Sequence, residues 1–583
     1  MSSGQGGPGP RGGRGPGPGG GRGPGPGGGR GRGLVLGAAL GDCVHVAGLL
    51  HFLSIAEAGG RQTRFLGPAQ PVLAIVAAIE RLKPDMVGLS YRLGAETAGP
   101  YFAEMAKAVR ERNLGEVAFV FGGTAPICRI AEESGLFFRV FSSAATEDDV
   151  RAVVSGAAAS TGSSATPLSG QAGGGGLVER VAGAYPKPIY RHHFGLASLE
   201  ATVEGCATLA ESGLVDVISI GPDQNTQERF FHPEAMDESR AGAGGVPLRR
   251  REDFVRLRQA CRRGNYPLLR CYSGTQDVQD MARLLRETLD NAWCAIPLFW
   301  YSVLDARSDR PLRQSLRQNM EVVAWHAERG VPVEVNEAHQ WSLREAPDTV
   351  AVATAFLAAY NARARGVRHY VSQYMFNTPL GTKPEMDLGK MLAKIDLIEA
   401  LQGESFSTLR QVRTGLASLP TDPAEAKGHL AASTYVQMAV RPHIVHVVAY
   451  CEADHAATPE EIIESLKICR RVAAMASEAP LAPEASSAVE ERRKELRAEA
   501  TELLEAIREL AGPGVADPWI DPETLVRAVE IGLLDCPHLA GNPAARGEVR
   551  TRIIDGRCLA VDPETGRAVS EKNRIKRVFA RPA

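Results

Sequence analysis

The sequence predicts an α/β protein with three parts. An N-terminal doubly wound (Rossmann-like, flavodoxin-like) parallel sheet is followed by a (β/α)8 TIM barrel and a small α+β C-terminal extension. Three observations carry this. Short apolar runs alternate with amphipathic helical segments over residues 34–156. A Gly/Ser/Ala-rich stretch (GAAASTGSSATPLSGQAGGGG) then interrupts the pattern, and residues 157–185 read as a linker. Strand and helix signals resume over 186–478 as eight repeats, the number that closes a barrel. At 583 residues the chain is also too long for a single core.

Residues 1–33 are Gly, Pro and Arg in near repeats (RGGRGPGPGGGRGPGPGGGRGRG); such a segment buries no apolar surface and is expected to be a disordered, solvated tail. LVLGAAL is the first strand of the doubly wound domain. VAGLLHFLSIAEAGG is a helix with a Gly stop, and PVLAIVAAIERLKP a second amphipathic helix. DMVGLSY, EVAFVFGG and FFRVFSS follow as buried strands. The barrel strands are PIYRHH (188–193), VDVISIG (215–221), YPLLRCYS (266–273), WCAIPLFWYS (293–302), VPVEVNE (331–337), RHYVSQYMF (368–376), FSTLRQVRTG (406–415) and HIVHVVAYCEAD (443–454). In residues 479–583, SSAVEERRKELRAEATELLEAIRELAG is a charged helix with an apolar stripe, suited to packing or to an oligomer contact. RTRIIDGRCLAVDPETG reads as a β-hairpin turned at Asp555-Gly556.

Composition excludes several classes of function. A net charge of −2 provides no field for nucleic acid or a membrane surface, so neither a specific nucleic acid nor a membrane partner is expected. No run of about 18 apolar residues is present, and the N-terminus lacks the apolar core of a secretory signal. Ten cysteines occur without a CxxC spacing, which argues against a disulfide framework, a structural zinc site and an iron–sulfur cluster. A reducing cytoplasm is the expected location. The expected partners are a small-molecule substrate and further copies of the chain in a homo-oligomer.

One short stretch carries chemistry. GDCVHVAG (41–48) follows the first strand, and ligands bind doubly wound sheets at the carboxyl ends of the strands. A metal-binding histidine needs its second nitrogen oriented, usually by a carboxylate, and Asp42 is near His45. By itself the short pattern reads more readily as a loop histidine without a role. With its neighbours it resembles the cobalamin (B12)-binding domain of B12-dependent mutases and methionine synthase, whose motifs are D-x-H-x-x-G, then S-x-L, then G-G. Here His45 and Gly48 keep the first spacing, Ser90 in SYRL matches the serine, and Gly122 and Gly123 in VFGG match the third motif. Asp42 stands three residues before His45 instead of two, and Cys43 occupies the expected place. The resemblance implies a corrinoid bound base-off, with His45 as the lower axial ligand of its cobalt and the nucleotide tail beside Ser90 and Gly122–Gly123. Asp42 and Gly48 complete the cofactor-binding set.

The barrel resembles the catalytic subunit of glutamate mutase (methylaspartate mutase), through SGTQDVQDMARLL, the stretch from NAWCAIPLFWYS to GVPVEVNE, and LPTDPAEAKGHL to YCEADHAATPEEI. In that family arginines clamp the substrate carboxylates and a glutamate holds the amino group. The family's R-H-G-T-P-D becomes Tyr272-Ser273-Gly274-Thr275-Gln276-Asp277, which places its arginine at Tyr272; Arg270, two residues earlier, shares the same side of the strand. Tyr301 matches the family's tyrosine, the glutamate has no counterpart, and the first-strand arginine falls near Arg191-His192-His193. A substrate other than glutamate follows from these departures.

The candidate catalytic residues are therefore Arg270, Tyr301, Glu337 and His339. Glu337 could bind a substrate amine and His339 could act as general acid or base, or both could simply cap the following helix. Weaker rim candidates are Asn336, Gln340, Asp223, Gln224, Arg229, Gln373, Tyr374, Asn377, Glu452, Asp454 and His455. The resemblance implies an adenosylcobalamin-dependent isomerase (or one using another corrinoid), in which homolysis of the Co–C bond yields a 5′-deoxyadenosyl radical that abstracts substrate hydrogen. The alternative is a corrinoid-dependent methyltransferase. Methionine-synthase-type B12 domains usually follow a helical cap, which residues 1–33 cannot form. A corrinoid-sensing regulator fits poorly beside a full barrel without a DNA-binding motif.

Overall fold

The computed structural model describes residues 33–142, 145, 147–155 and 175–580. Residues 1–32 of the Gly/Pro/Arg tail, residue 156 and residues 157–174 of the expected linker lie outside them. The chain forms two compact units, divided between Ala165 and Thr166.

The first unit is a parallel sheet of five strands: β1 (Leu34–Leu40), β2 (Gln62–Gln70), β3 (Met86–Tyr91), β4 (Ala118–Gly123) and β5 (Arg139–Phe141), in the order β2-β1-β3-β4-β5. Four of these were legible as apolar runs. The fifth, β2, was not, and its position explains why. It is an edge strand, paired on one side only, with neither face fully buried, and it contains Gly67 and Pro68 where its register against β1 slips. Helices cover both faces. Leu36, Ala38 and Leu40 pack with Ile75, Val76 and Ile79 on one side, and Val35 packs with Leu49, Phe52 and Leu53 on the other. The helix Ala47–Ala58 lies so close that a Cβ on Gly37 or Gly88 would stand 2.7 Å from Leu53 or Phe52. The strand order reverses between β1 and β3, which opens the ligand crevice at their carboxyl ends.

The second unit is a parallel barrel. Its strands are β6 (Ile189–Phe194), β7 (Val217–Ile220), β8 (Leu268–Cys271), β9 (Cys294–Ile296), β10 (Val333–Val335), β11 (His369–Phe376), β12 (Ser407–Thr414) and β13 (Ile444–Val447). They pair in the order β8-β7-β6-β13-β12-β11-β10-β9. The β8/β9 seam is held by Ala292 N–H donating to the Leu269 carbonyl at 2.8 Å and Cys271 N–H donating to Asn291 Oδ1 at 2.9 Å. All eight expected strands are present, most of them shorter than the expected runs, and two fall far short. After β9, Pro297 has no N–H for the ladder and Tyr301 is left-handed (φ 59°), so LFWYS leaves the sheet. The chain also leaves the sheet after Val447, short of the expected Asp454.

The expected linker extended to residue 185, and here the structure corrects it. Leu177–Ala184 is a helix whose Leu177 and Val181 are buried against Ile189, Val217, Trp293, Val371, Leu409 and Ile444, at the amino ends of the strands. It plugs the bottom of the barrel. The C-terminal extension also joins the barrel's own core through Val489, Leu496, Leu503 and Leu525. Its hairpin, β14 (Thr551–Ile554) and β15 (Arg557–Ala560), turns at Asp555-Gly556, both with positive φ, as the type I′ signal implies. The ten cysteines are free and buried. Among the described residues no helix is long and apolar enough to cross a membrane.

If the Leu177–Ala184 helix is a true plug, Leu177→Ala will lower the unfolding free energy by about 2–4 kcal/mol, the cost of a buried Leu-to-Ala cavity. Denaturant melts of the full chain measure this; an unchanged midpoint would return the segment to the role of a passive linker.

Candidate cofactor and substrate sites

The three motifs of the first unit meet at one edge of its sheet. Ala39 pairs with Ser90, and Ser90 with Gly122, so the ends of β1, β3 and β4 lie side by side. The loop 41–46 leaves β1 at the crevice. Its backbone is fastened by Gly41 N–H to the Gln70 carbonyl and by Ala69 N–H to the Cys43 carbonyl, each at 2.9 Å. Ser90 Oγ donates to the His45 carbonyl at 3.3 Å. His45 and Gly48 are exposed, and a Cβ on Gly48 or Gly122 would meet nothing within 4 Å.

This edge fits a corrinoid. An exposed imidazole stands at the switch point, and two glycines leave open space for a ligand to approach the backbone. The expected Asp42–His45 pair, however, is absent. The Tyr91 hydroxyl lies 3.1 Å from Asp42 Oδ1 and takes up that carboxylate, with Thr97 Oγ1 2.7 Å from the same hydroxyl. Burial, more than any neighbour, raises the Tyr91 phenol, and Asp42 adds to it. Facing His45 Nδ1 is Cys43 Sγ, at 3.8 Å. The extra residue turns Asp42 away and brings the fully buried Cys43 to the ring. Nε2 is the nitrogen left for a metal.

Inside the barrel the strand parity gives layers. Above the apolar floor lies a polar layer where a barrel ordinarily packs branched aliphatic residues. Arg191 Nε donates to Ser219 Oγ at 2.6 Å, and its Nη1 to Gln411 Oε1 at 2.8 Å. Gln411 Nε2 donates to Gln373 Oε1 at 2.8 Å. Arg270 Nη2 meets Glu334 Oε2 at 3.3 Å, and that oxygen also accepts from Trp293 Nε1 at 2.8 Å. Both arginines and Glu334 are about 1% exposed. Arg270 Nε and Nη1 have no hydrogen-bond partner. Arg413 is half-buried beside the cluster. Burial, and then the neighbouring Arg270 cation, push the Arg191 guanidinium well below its ordinary pKa. Burial also lowers the Arg413 guanidinium. The layer therefore holds more guanidinium than carboxylate.

His193 lies one step above. Its Nε2 is 2.7 Å from Arg191 Nη2 and 3.0 Å from the Tyr272 hydroxyl, and its ring stacks on Tyr272 at 5.0 Å. Arginine has only donors, so Nε2 accepts and the proton resides on Nδ1. Burial, then Arg191, hold this imidazole neutral.

The expected catalytic residues fall on two sides. Arg270 points inward, as its parity implied. Tyr301 is buried near Tyr272; burial and then Tyr272 raise its phenol. His339 is buried and neutral through burial, with Arg413 as the next cause. Glu337 is different. Its Oε2 accepts from Leu298 N–H at 2.6 Å and Phe299 N–H at 3.2 Å, and its Oε1 from Trp341 Nε1 at 2.7 Å. It anchors the segment leading to Tyr301, with three of its lone pairs taken by protein donors. Glu334 is the carboxylate beside the arginines. It went unnoticed, with Gln411, Arg413 and His446 (whose ring meets His193 edge-on at 4.7 Å), because these residues sit within strands and not at their ends. The alternation in VPVEVNE and LRQVRT was the available signal. Asp223 is likewise structural, capping the helix Gln224–Arg229 and bound to Arg249 at 2.6 Å.

Burial raises the Glu337 carboxyl to about 7 against its three donors. A folded pKa above the unfolded value of 4.5 means that this group's contribution is complete below pH 4.5 and is lost as pH climbs to about 7, roughly 3 kcal/mol in all. Melting curves from pH 4.5 to 7.5 should show wild type losing stability relative to Glu337→Gln over this window; parallel curves would mean that the carboxyl titrates normally.

Family models match both units of the chain. A B12 binding domain model matches residues 33–151. A methylaspartate mutase E chain (MutE) model matches residues 258–576, more than half of the chain. Among solved structures, a novel cobalamin-binding protein from Desulfitobacterium hafniense DCB-2 is 25% identical over 21% of this chain, with a TM-score of 0.19; the chain spans 58% of that protein's length. NtrX from Brucella abortus in complex with ATP is 10% identical over 82% of this chain and 94% of its own, with a TM-score of 0.17. No curated protein matches. The chain belongs to the methylaspartate mutase E chain family, joined here to a B12-binding domain.

Proposed function

We propose that the protein is an adenosylcobalamin-dependent radical isomerase acting on a small carboxylic or amino acid other than glutamate. The observation that carries this reading is Arg270: a guanidinium out of water with Nε and Nη1 unpartnered, beside a second buried arginine. Buried donors are almost always satisfied, so this pair calls for an anion, and a carboxylate matches a guanidinium edge in bidentate fashion. Arg191 and Arg413 add the field that draws it in. His45 would hold the cobalt through Nε2, and Ser90, Gly122 and Gly123 would border the nucleotide tail, while Asp42 orders the loop through Tyr91. When bound, adenosylcobalamin supplies the radical chemistry that removes hydrogen from an unactivated carbon.

The chain's residues orient and protect. Arg270 and Arg191 fix the carboxylate, and so the carbon that reacts. Tyr272 and Tyr301 wall the space, and neutral His193 offers its Nδ1–H. Water is kept out by the plugged floor and by the aromatic LFWY segment that Glu337 anchors. The substrate departs from glutamate because Tyr272 stands at the family's arginine position, its hydroxyl engaged by His193, and the family's amine-binding glutamate has no counterpart.

Anaerobic incubation with adenosylcobalamin and a panel of small mono- and dicarboxylic and amino acids should give a cob(II)alamin–radical signal in paramagnetic resonance with one of them. Methyl transfer to thiols or folates without that signal would overturn the reading. Arg270→Gln should raise KM for that acid about thirtyfold, from roughly 2 kcal/mol of charge-assisted hydrogen bonding, with partial recovery in Arg270→Lys.

The cobalamin spectrum tests His45 separately. Bound cobalamin should be base-off with histidine on cobalt, and His45→Ala should lose that signature. Asp42→Asn should keep it, since Asp42 does not touch the ring; loss in both variants would contradict the Tyr91 pairing.

A further inference from the structure

The loop after β13 gathers a second set of ligand atoms, away from the arginine layer. Cys451, His455 and Glu461 place a sulfur, an imidazole nitrogen and a carboxylate oxygen all within 4.8 Å of one another. His455 Nε2 is 3.0 Å from Glu461 Oε1, and its Nδ1 is 2.9 Å from Asp454 Oδ2. The second oxygen of Glu461 accepts from Thr458 N–H and Oγ1, both at 2.9 Å, which aims the first at the histidine. The turn itself is preformed: Asp454 N–H and His455 N–H both donate to the Cys451 carbonyl, at 2.9 and 3.0 Å.

We propose that Cys451, His455 and Glu461 bind one divalent transition metal, zinc by the character of the ligands, through Sγ, Nε2 and Oε1 with a fourth position open to water. Ideal bond lengths around tetrahedral zinc put ligand atoms about 3.3–3.6 Å apart, so the triangle needs only small movements to close on an ion. Sulfur, nitrogen and oxygen together suit zinc better than calcium or magnesium. Asp454 plays the outer part that metal-bound histidines require: a carboxylate on the other ring nitrogen that sets tautomer and orientation. The absence of CxxC pairs argued against a structural zinc site, but a Cys-x3-His turn closed by a helix-capping glutamate escapes that spacing rule.

Without metal, protons take its place. Hydrogen bonds to Asp454 and then Glu461 raise the His455 pKa, which favours an imidazolium between two carboxylates. Burial, and then Glu461, raise the Cys451 thiol to about 12. Burial opposes ionisation of Glu461, but the Thr458 N–H, the His455 ring and the Cys451 thiol hold it down to about 2. Binding is then an exchange: the ion enters, one proton leaves the imidazolium and one leaves the thiol. The ion would tie the loop to the start of the helix Pro459–Glu478. Glu452, next to Cys451, accepts from Ala449 N–H at 2.7 Å and lies 3.0 Å from His192 Nε2, so the same clip fixes one side of the barrel's lining.

Titration of the full chain, prepared without cobalamin and freed of metal by chelation, with cobalt(II) chloride tests this. One cobalt per chain should bind with a thiolate-to-cobalt charge-transfer band and tetrahedral visible bands, displaced by zinc. Affinity should rise with pH, by about two decades per unit while both protons remain. Cys451→Ser should abolish the charge-transfer band, His455→Ala should abolish stoichiometric binding, and Asp454→Asn should weaken affinity at least about tenfold while keeping the band. His45→Ala should retain the site, which excludes the Cys43–His45 pair as its source. Circular dichroism and melting show that each variant is folded. Failure of the wild type to take up one cobalt, or a band that survives Cys451→Ser, would overturn the proposal.

Discussion

The barrel is organised around a charge that cannot be removed. A guanidinium does not lose its proton in a protein, and holding one out of water costs several kcal/mol unless it is paired and hydrogen-bonded. Arg191 and Arg270 both stand in this position. Glu334 supplies the negative charge, and Trp293 holds Glu334 in place through its indole N–H. The same indole lies 5.4 Å below the guanidinium carbon of each arginine, so one aromatic ring serves as hydrogen-bond donor and cation–π partner at once. Trp293 is fully buried, and its other neighbours are the floor residues and the plugging helix. The polar layer therefore rests directly on the apolar one. Even with Glu334 and Trp293 in place, Arg270 keeps two unpartnered donors, which is the stored demand that a substrate anion would meet.

A polar layer displaces the aliphatic packing that normally stabilises a barrel's interior. The molecule compensates outside it. Asp348, at the start of the helix Asp348–Ala364, receives Lys390 at 3.2 Å, Arg492 at 2.7 Å and the Cys558 N–H at 3.1 Å. Burial works against that carboxylate, but Lys390 and Arg492 hold its pKa down. One buried anion thus ties two barrel helices, the long helix Ser487–Arg508 and the hairpin β14–β15 together. The extension, which showed no chemistry in the sequence, is part of the barrel's wall.

Legibility followed burial. Parallel strands buried on both faces read as apolar runs, which is why all eight barrel strands and four of five in the sheet were recognisable. The edge strand β2 has no such face and was missed. The cofactor edge was legible because its residues sit in loops at fixed spacings after strands, where His45, Ser90 and Gly122–Gly123 stand out. The barrel site was only half legible. Polar residues at strand ends drew notice, and so Glu337 was favoured over Glu334. The buried charges lie one layer deeper, where a single Glu or Arg inside an apolar run has meaning only once the inward parity of each strand is known. Arg270 was found because its parity was read from Tyr272. Glu334 required the same step, applied to VPVEVNE, and Glu337 falls on the opposite parity.

The His45 loop shows how a changed spacing redistributes roles without dissolving a site. A carboxylate on Nδ1 would raise the basicity of the imidazole and strengthen its bond to a metal. Cys43 cannot do this, because a thiol is a weak partner for a ring nitrogen. What the loop keeps is position. Ser90 holds the His45 carbonyl, β2 holds the backbone on both sides of Asp42, and Tyr91 converts Asp42 from a partner of the ring into a brace for the loop. A ligand placed in advance loses less freedom on binding than one that must be ordered, which offsets part of what the missing carboxylate would have contributed. On the proposed role of His45, the loop would present the ring from a backbone that is already fixed, without a carboxylate partner on its second nitrogen.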